Sequence, residues 1–148
     1  MSTEENKAIV RRYFEEAWNQ NKGTEVDEYI ATKWIHHSGT VTWSHGPEPD
    51  GEVRKTWRSG FPDFHYQLEE LIAERDLVAV RVTFTGTHTG MFRLGSRTLP
   101  PSGQPIREAE MFFFRIADGK IVESWATWDR LNFFQQLGAV SAPEQNKS

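Results

Sequence analysis

The apolar residues of this chain change period once, near Phe61-Pro62, and that change leaves few architectures open. Before it, Ile9, Val10, Tyr13, Phe14, Ala17 and Trp18 recur at helical spacing, which marks one buried helix face. After it, apolar and polar residues alternate over long runs, which marks half-buried strands. Helices followed by strands define an α+β domain, here a curved, mainly antiparallel sheet wrapped over the N-terminal helices. A sheet bent in that way encloses a space, and such a space commonly holds a ligand.

Local signals place the elements. Ser2-Thr3-Glu4-Glu5 has the form of a capping box, so a first helix is predicted from there to about Asn19. Thr24 to about Lys33 predicts a short second helix with Thr24 as N-cap, and Trp34 to Ser38 an extended segment. Gly46-Pro47-Glu48-Pro49-Asp50-Gly51 reads as a loop. A third helix follows it and stops before Pro62. Strands are predicted from Phe64 to Ala73, Leu77 to about His88, Ile106 to Ile116 and Ile121 to about Asp129. Glu74-Arg75-Asp76 turns the first pair and Asp118-Gly119 the last. Leu131 to Leu137 makes a closing helical turn with Gly138 as its C-cap. The reading is a single domain with a core from about Lys7 to Gly138 and a flexible tail from Ala139 to Ser148.

A chain of 148 residues is long enough for one substantial core. A net charge of −4 with scattered Lys and Arg argues against nucleic acid as the main partner. With no Cys there is no disulfide framework, thiol catalysis or Cys-based zinc site, which fits a cytoplasmic location. No apolar stretch reaches membrane-spanning length, so no membrane partner is expected. Six Trp residues supply large, flat, apolar surface for a core or for a pocket.

Candidate site residues follow from strand alternation. Along the last strand Trp125, Thr127 and Asp129 share a face. Counting outward from a two-residue turn at Asp118-Gly119 sets Phe114 opposite Glu123, Phe112 opposite Trp125, Glu110 opposite Thr127 and Glu108 opposite Asp129. Carboxylates gathered on one face cannot all ionise cheaply, so one keeps its proton and can act as an acid. On the second strand Val80, Val82, Phe84 and Gly86 share a face with His88. His36 and His37 are adjacent in an extended segment and point opposite ways, so one of them faces the cavity. Neither HxxH nor HxH spacing occurs, and no metal site or cofactor is expected.

An ordered series of segments carries a resemblance. It runs Arg11-Arg12-Tyr13-Phe14, Trp34-Ile35-His36-His37, Phe61-Pro62-Asp63-Phe64, Thr85-Gly86-Thr87-His88-Thr89-Gly90 and Pro101-Ser102-Gly103-Gln104-Pro105. It ends with Asp118-Gly119-Lys120-Ile121-Val122-Glu123-Ser124-Trp125, Asp129 and Gln136-Leu137-Gly138. Together these resemble the SnoaL-like polyketide cyclase (ester cyclase) family of the nuclear transport factor two-like superfamily. The resemblance implies a cone-shaped α+β barrel and a cofactor-independent intramolecular aldol condensation. It places the family's catalytic Asp on Asp129 and its His residues on His88 and His37. Many members carry His where this chain has Ser124. Trp125, Phe112, Phe114, Trp34 and Glu110 would bind a hydrophobic, aromatic small molecule. A homodimer or higher homo-oligomer is expected. Two other readings stay open: a non-catalytic binder of a small hydrophobic ligand, and a dehydratase, isomerase or hydrolase on the same fold.

Overall fold

The structure, a computed structural model, describes residues 2–140 except Thr24 and Thr40. Helix α1 runs Thr3–Arg12 and continues as a π-helical segment, Tyr13–Asn19. The predicted capping box is present: the Ser2 hydroxyl accepts from the Glu5 amide while Glu5 reaches back to the Ser2 backbone. The π-helical widening matters for the cavity. Tyr13 and Trp18, five residues apart, would be splayed by about 140° on a regular α-helix, yet both line the same cavity.

The short helix expected from Thr24 to Lys33 is largely absent. Only a single 3₁₀ turn forms, Val26–Glu28, and strand β1 already begins at Ile30 (Ile30–Ser38). Tertiary pairing overrides local propensity there, because Ile30 pairs with Ile121 of a strand far along the chain. The expected cap, Thr24, lies outside the described residues. Strand β2 is Val41–His45. The expected loop from Gly46 to Gly51 is instead the start of helix α2, Pro47–Gly60. Its prolines sit in the first turn, where an absent N–H costs nothing and the set φ favours the helix.

The predicted strands form as β3 (His65–Glu74), β4 (Leu77–Thr87), β7 (Pro105–Ala117) and β8 (Lys120–Trp128). Between β4 and β7 lies a small hairpin, β5 (Phe92–Leu94) and β6 (Arg97–Leu99), and α3 (Arg130–Gln136) closes the fold. Ala139 and Val140, expected in the tail, pack against the core; the remainder, 141–148, lies outside the described residues.

The main sheet has the order β2-β1-β8-β7-β4-β3, antiparallel except for the parallel β1–β8 pair. It is open and curved, with bulges in β1, β3 and β8 that add bend and twist. The bulge in β8 overturns the expected register. Ala117–Lys120 and Ile116–Ile121 pair as predicted, but the next pair is Arg115–Glu123, which leaves Val122 as an extra residue. Beyond it Phe114 faces Ser124, Phe112 faces Ala126 and Glu110 faces Trp128. Ser124 and Ala126 are therefore buried on the inner face with Trp128, while Trp125 and Thr127 belong to the outer face. Ile106, Glu108, Glu110, Phe112, Phe114 and Ile116 alternate inward as expected.

Candidate active site

Between the sheet's inner face, the π-helical segment and α2 lies a cavity of about 220 Å³. Its walls are mostly aromatic: Trp18, Trp34, Trp57, Phe64, Phe84, Phe112 and Trp128. Its polar groups come in sets. The Tyr66 hydroxyl donates to Glu110 Oε1 (3.0 Å). The Tyr13 hydroxyl donates to Asp50 Oδ1 (2.8 Å), and Arg54 Nε donates to Asp50 Oδ2 (2.9 Å). On β1, His36 lies across from Ser124, with Nδ1 and the serine Oγ 2.5 Å apart. The Trp34 indole N–H donates to the same oxygen (2.7 Å). Exposed Val53 and Arg130, with half-exposed Leu94 and Ser38, mark the mouth.

Electrostatics divide these groups. Glu110 is buried among rings with no cation on it among the described residues, and desolvation pushes its pKa up to about 8, partly offset by the Tyr66 hydrogen bond. Its carboxyl is thus mainly protonated at neutral pH. Burial likewise holds Tyr13 and Tyr66 well above the usual phenol range, reinforced by the neighbouring acids. Both phenols therefore act as hydrogen-bond donors rather than phenolates. Asp50 is compensated by a buried guanidinium, since Arg54 and Asp50 are almost inaccessible.

The residues expected from the sequence divide in three. Glu110, Phe112 and Trp34 line the cavity. Phe114 is fully buried behind Phe112, stacked on its ring at 5.3 Å. The remainder lie elsewhere. Asp129 is exposed and serves as N-cap of α3, accepting from the Asn132 amide (2.9 Å). Trp125 is on the outer face, stacked on His37 (5.2 Å). His37 also lies there, bridging Thr42 and Glu123 at 2.8 and 2.9 Å, so the imidazole at the cavity is that of His36. His88 points inward but is sealed, 1% exposed and stacked on Phe61. Its Nδ1 accepts from the Ser102 amide (3.2 Å), so the neutral ring carries its proton on Nε2, which has no hydrogen bond of normal geometry among the described residues. Burial lowers its pKa, with partial opposition from the Leu99 and Gly90 carbonyls. Glu108 accepts from Asn132 (2.5 Å) and Gln136 (2.6 Å) of α3. Its pKa is raised, by burial first and then by nearby Asp129, against those two bonds.

Sequence reasoning missed Tyr13, Asp50, Trp57, Tyr66 and Trp128. The Asp50–Arg54 pair has the i, i+4 spacing of a helical ion pair, a signal hidden by the two prolines. Trp128 needed the bulge.

Fold and site together define a class: an open α+β cone with an apolar pocket that carries a few inward acids and hydroxyls. The sequence profile of the SnoaL-like polyketide cyclase family matches residues 8–137, and the chain belongs to that family. Solved structures agree. AclR of Streptomyces galilaeus, assigned as a hydroxylase, superposes with a TM-score of 0.81 at 25% identity, covering 97% of this chain and 87% of AclR. An assigned SnoaL-like polyketide cyclase from Jannaschia sp. CCS1 gives 0.80 at 26%, covering 96% and 95%. IdmH of Streptomyces antibioticus, assigned as a polyketide cyclase, gives 0.74 at 26%, covering 90% and 98%. No curated protein matches the chain significantly. Among the described residues no helix is long and apolar enough to cross a membrane.

Proposed function

We propose that the chain is a cofactor-independent enzyme of the polyketide cyclase type, catalysing an intramolecular aldol condensation or a closely related enolisation. The observation that carries this reading is Glu110: a carboxyl that keeps its proton to about pH 8, inside an aromatic cavity and beside a phenol. A protonated acid there donates to a substrate carbonyl oxygen as negative charge develops on it. The His36 imidazole, on the same cavity lining, accepts the proton from the adjacent carbon. The resulting enol attacks a second carbonyl of the same folded molecule; its O–H proton returns to Glu110 as the first carbonyl re-forms, and the new alkoxide takes the proton held by His36. Holding the substrate folded supplies most of the entropic advantage.

Family resemblance would give the proton transfer to Asp129. Its exposed, capping position supports Glu110 instead. α-Tetralone, an enolisable two-ring ketone, tests the assignment through exchange of its α-protons in heavy water, followed by proton NMR. The expected result is catalysed exchange by the wild type, an about 10²–10⁴-fold loss in Glu110→Gln, and near wild-type exchange in Asp129→Asn. Loss in Asp129→Asn with Glu110→Gln intact sinks the assignment. One observation favours a second reading, a binding protein: the phenol–acid pairs already satisfy one another in the free chain. Binding of the ketone without any catalysed exchange supports that alternative.

A further inference from the structure

We propose that Trp57 sets the depth of the cavity, so that its ligand is an uncharged, oxygenated molecule of one or two fused rings. This rests on the reading above only in taking the cavity as the ligand site.

The volume of 220 Å³ lies below the roughly 300–1,000 Å³ of sites that take drug-sized molecules. At the packing density of organic crystals it holds roughly ten to fifteen non-hydrogen atoms. That is one or two rings with their substituents; three or four fused rings do not fit.

The limit traces to one side chain. Trp57 projects from α2 into the cone, and its ring meets Phe92 at 4.7 Å, Phe133 at 5.4 Å, Phe64 at 5.5 Å, and Phe84 and Trp128 both at 5.7 Å. It cannot swing aside without disturbing all five. Nor can α2 withdraw its end independently. The Gly90 amide donates to the Gly60 carbonyl (3.1 Å), and a Cβ on Gly90 would meet the Ser59 carbonyl oxygen at 1.9 Å.

Charge narrows the class further. Of the described lining residues only His36 and Arg130 are basic. His36 is engaged with Ser124, and Arg130 lies at the mouth with its guanidinium 5.5 Å from the Trp128 ring centroid. Arg54 is committed to Asp50. A carboxylate or phosphate inside would confront the Asp50 carboxylate, and among the described lining residues no opposite charge is free to hold it. Carbonyl oxygens suit the protonated Glu110 carboxyl as donor, and ligand hydroxyls suit the Tyr66 oxygen as acceptor, since the Tyr66 proton is given to Glu110.

Calorimetric titration of two uncharged probes tests the inference: α-tetralone with two rings, and danthron, a dihydroxyanthraquinone with three. The proteins are wild type, Trp57→Ala and Trp57→Phe. The last keeps an aromatic ring in the cluster and so guards against loss of folding. Wild type is expected to bind α-tetralone at least tenfold more tightly than danthron, and shortening Trp57 to reverse that ratio, fully in Trp57→Ala and partly in Trp57→Phe. Equal binding of both probes by wild type, an unchanged ratio in both variants, or binding of neither probe overturns it. Loss of proton exchange with this size preference intact removes the proposed reaction and leaves the inference standing. Exchange without size preference does the reverse.

Discussion

At the scale of single residues, Glu110 makes the chain sensitive to pH in an unusual direction. Buried acids more often sit beside a cation, which lowers their pKa; Glu110 is pushed from an ordinary 4.5 to about 8. Between those values the folded chain holds a proton that the unfolded chain has released. Stability therefore falls as pH rises across that window, by up to about 1.4 kcal/mol per unit, and is level above it. Thermal melts of wild type should show that slope, and Glu110→Gln should flatten it; a slope unchanged in the variant contradicts the assignment. Asp129 acts through the backbone. Asp129→Ala should cost about 0.5–2 kcal/mol in urea unfolding through loss of the α3 cap, and Asp129→Asn little, because Asn caps equally well. The inward direction of Glu110 was legible from plain alternation along β7. The cavity role of Asp50 was not, because it depends on a helix that the two prolines disguised and on a hydroxyl from a distant segment.

At the scale of elements, α2 is held by a buried ion pair rather than by apolar packing alone. Arg54 bridges Asp50 on its own helix and the Ala17 carbonyl of the π-helical segment (3.2 Å). Arg54→Met leaves the buried Asp50 carboxylate without its counter-charge, with Tyr13 still bonded to it, and should lower stability by about 3–5 kcal/mol. Replacing Asp50 by Leu as well should restore most of it, as measured by denaturant midpoints in a double-mutant cycle. The helices and long strands were legible because each repeats its own period over many residues. The β1 start and the β8 bulge were not: both are settled by partners remote in sequence, and a one-residue slip turns every later side chain to the other face. Inner-face assignments on β7 therefore stood, while those on β8 beyond Val122 were inverted and Trp125 was taken for Trp128.

At the scale of the whole molecule, the sheet has two faces of different use. Its inner face makes the cavity. On its outer face Ile72, Ala79, Phe113, Trp125 and His37 form one row across five strands, beside exposed Met111. Ile72, Met111 and Phe113 are 68%, 58% and 52% exposed. Ion pairs flank the row, Arg81 with Glu70 and Arg115 with Asp76 and Glu123. The homodimer expected from the sequence would use this face, since a twofold contact needs one patch that suits its own copy. Sedimentation should give a dimer that Phe113→Glu converts to monomer with its fold intact; a monomeric wild type removes the expectation. The extra residue at Val122 shields both faces from one change of length. Loss of its codon would straighten β8 there and leave Glu123, Ser124 and every later residue opposite its present partner, with Trp128 still inward and Trp125 still outward. A gene of this kind can therefore shorten itself by one codon at that point and keep both its pocket and its self-contact, giving up only a local bend.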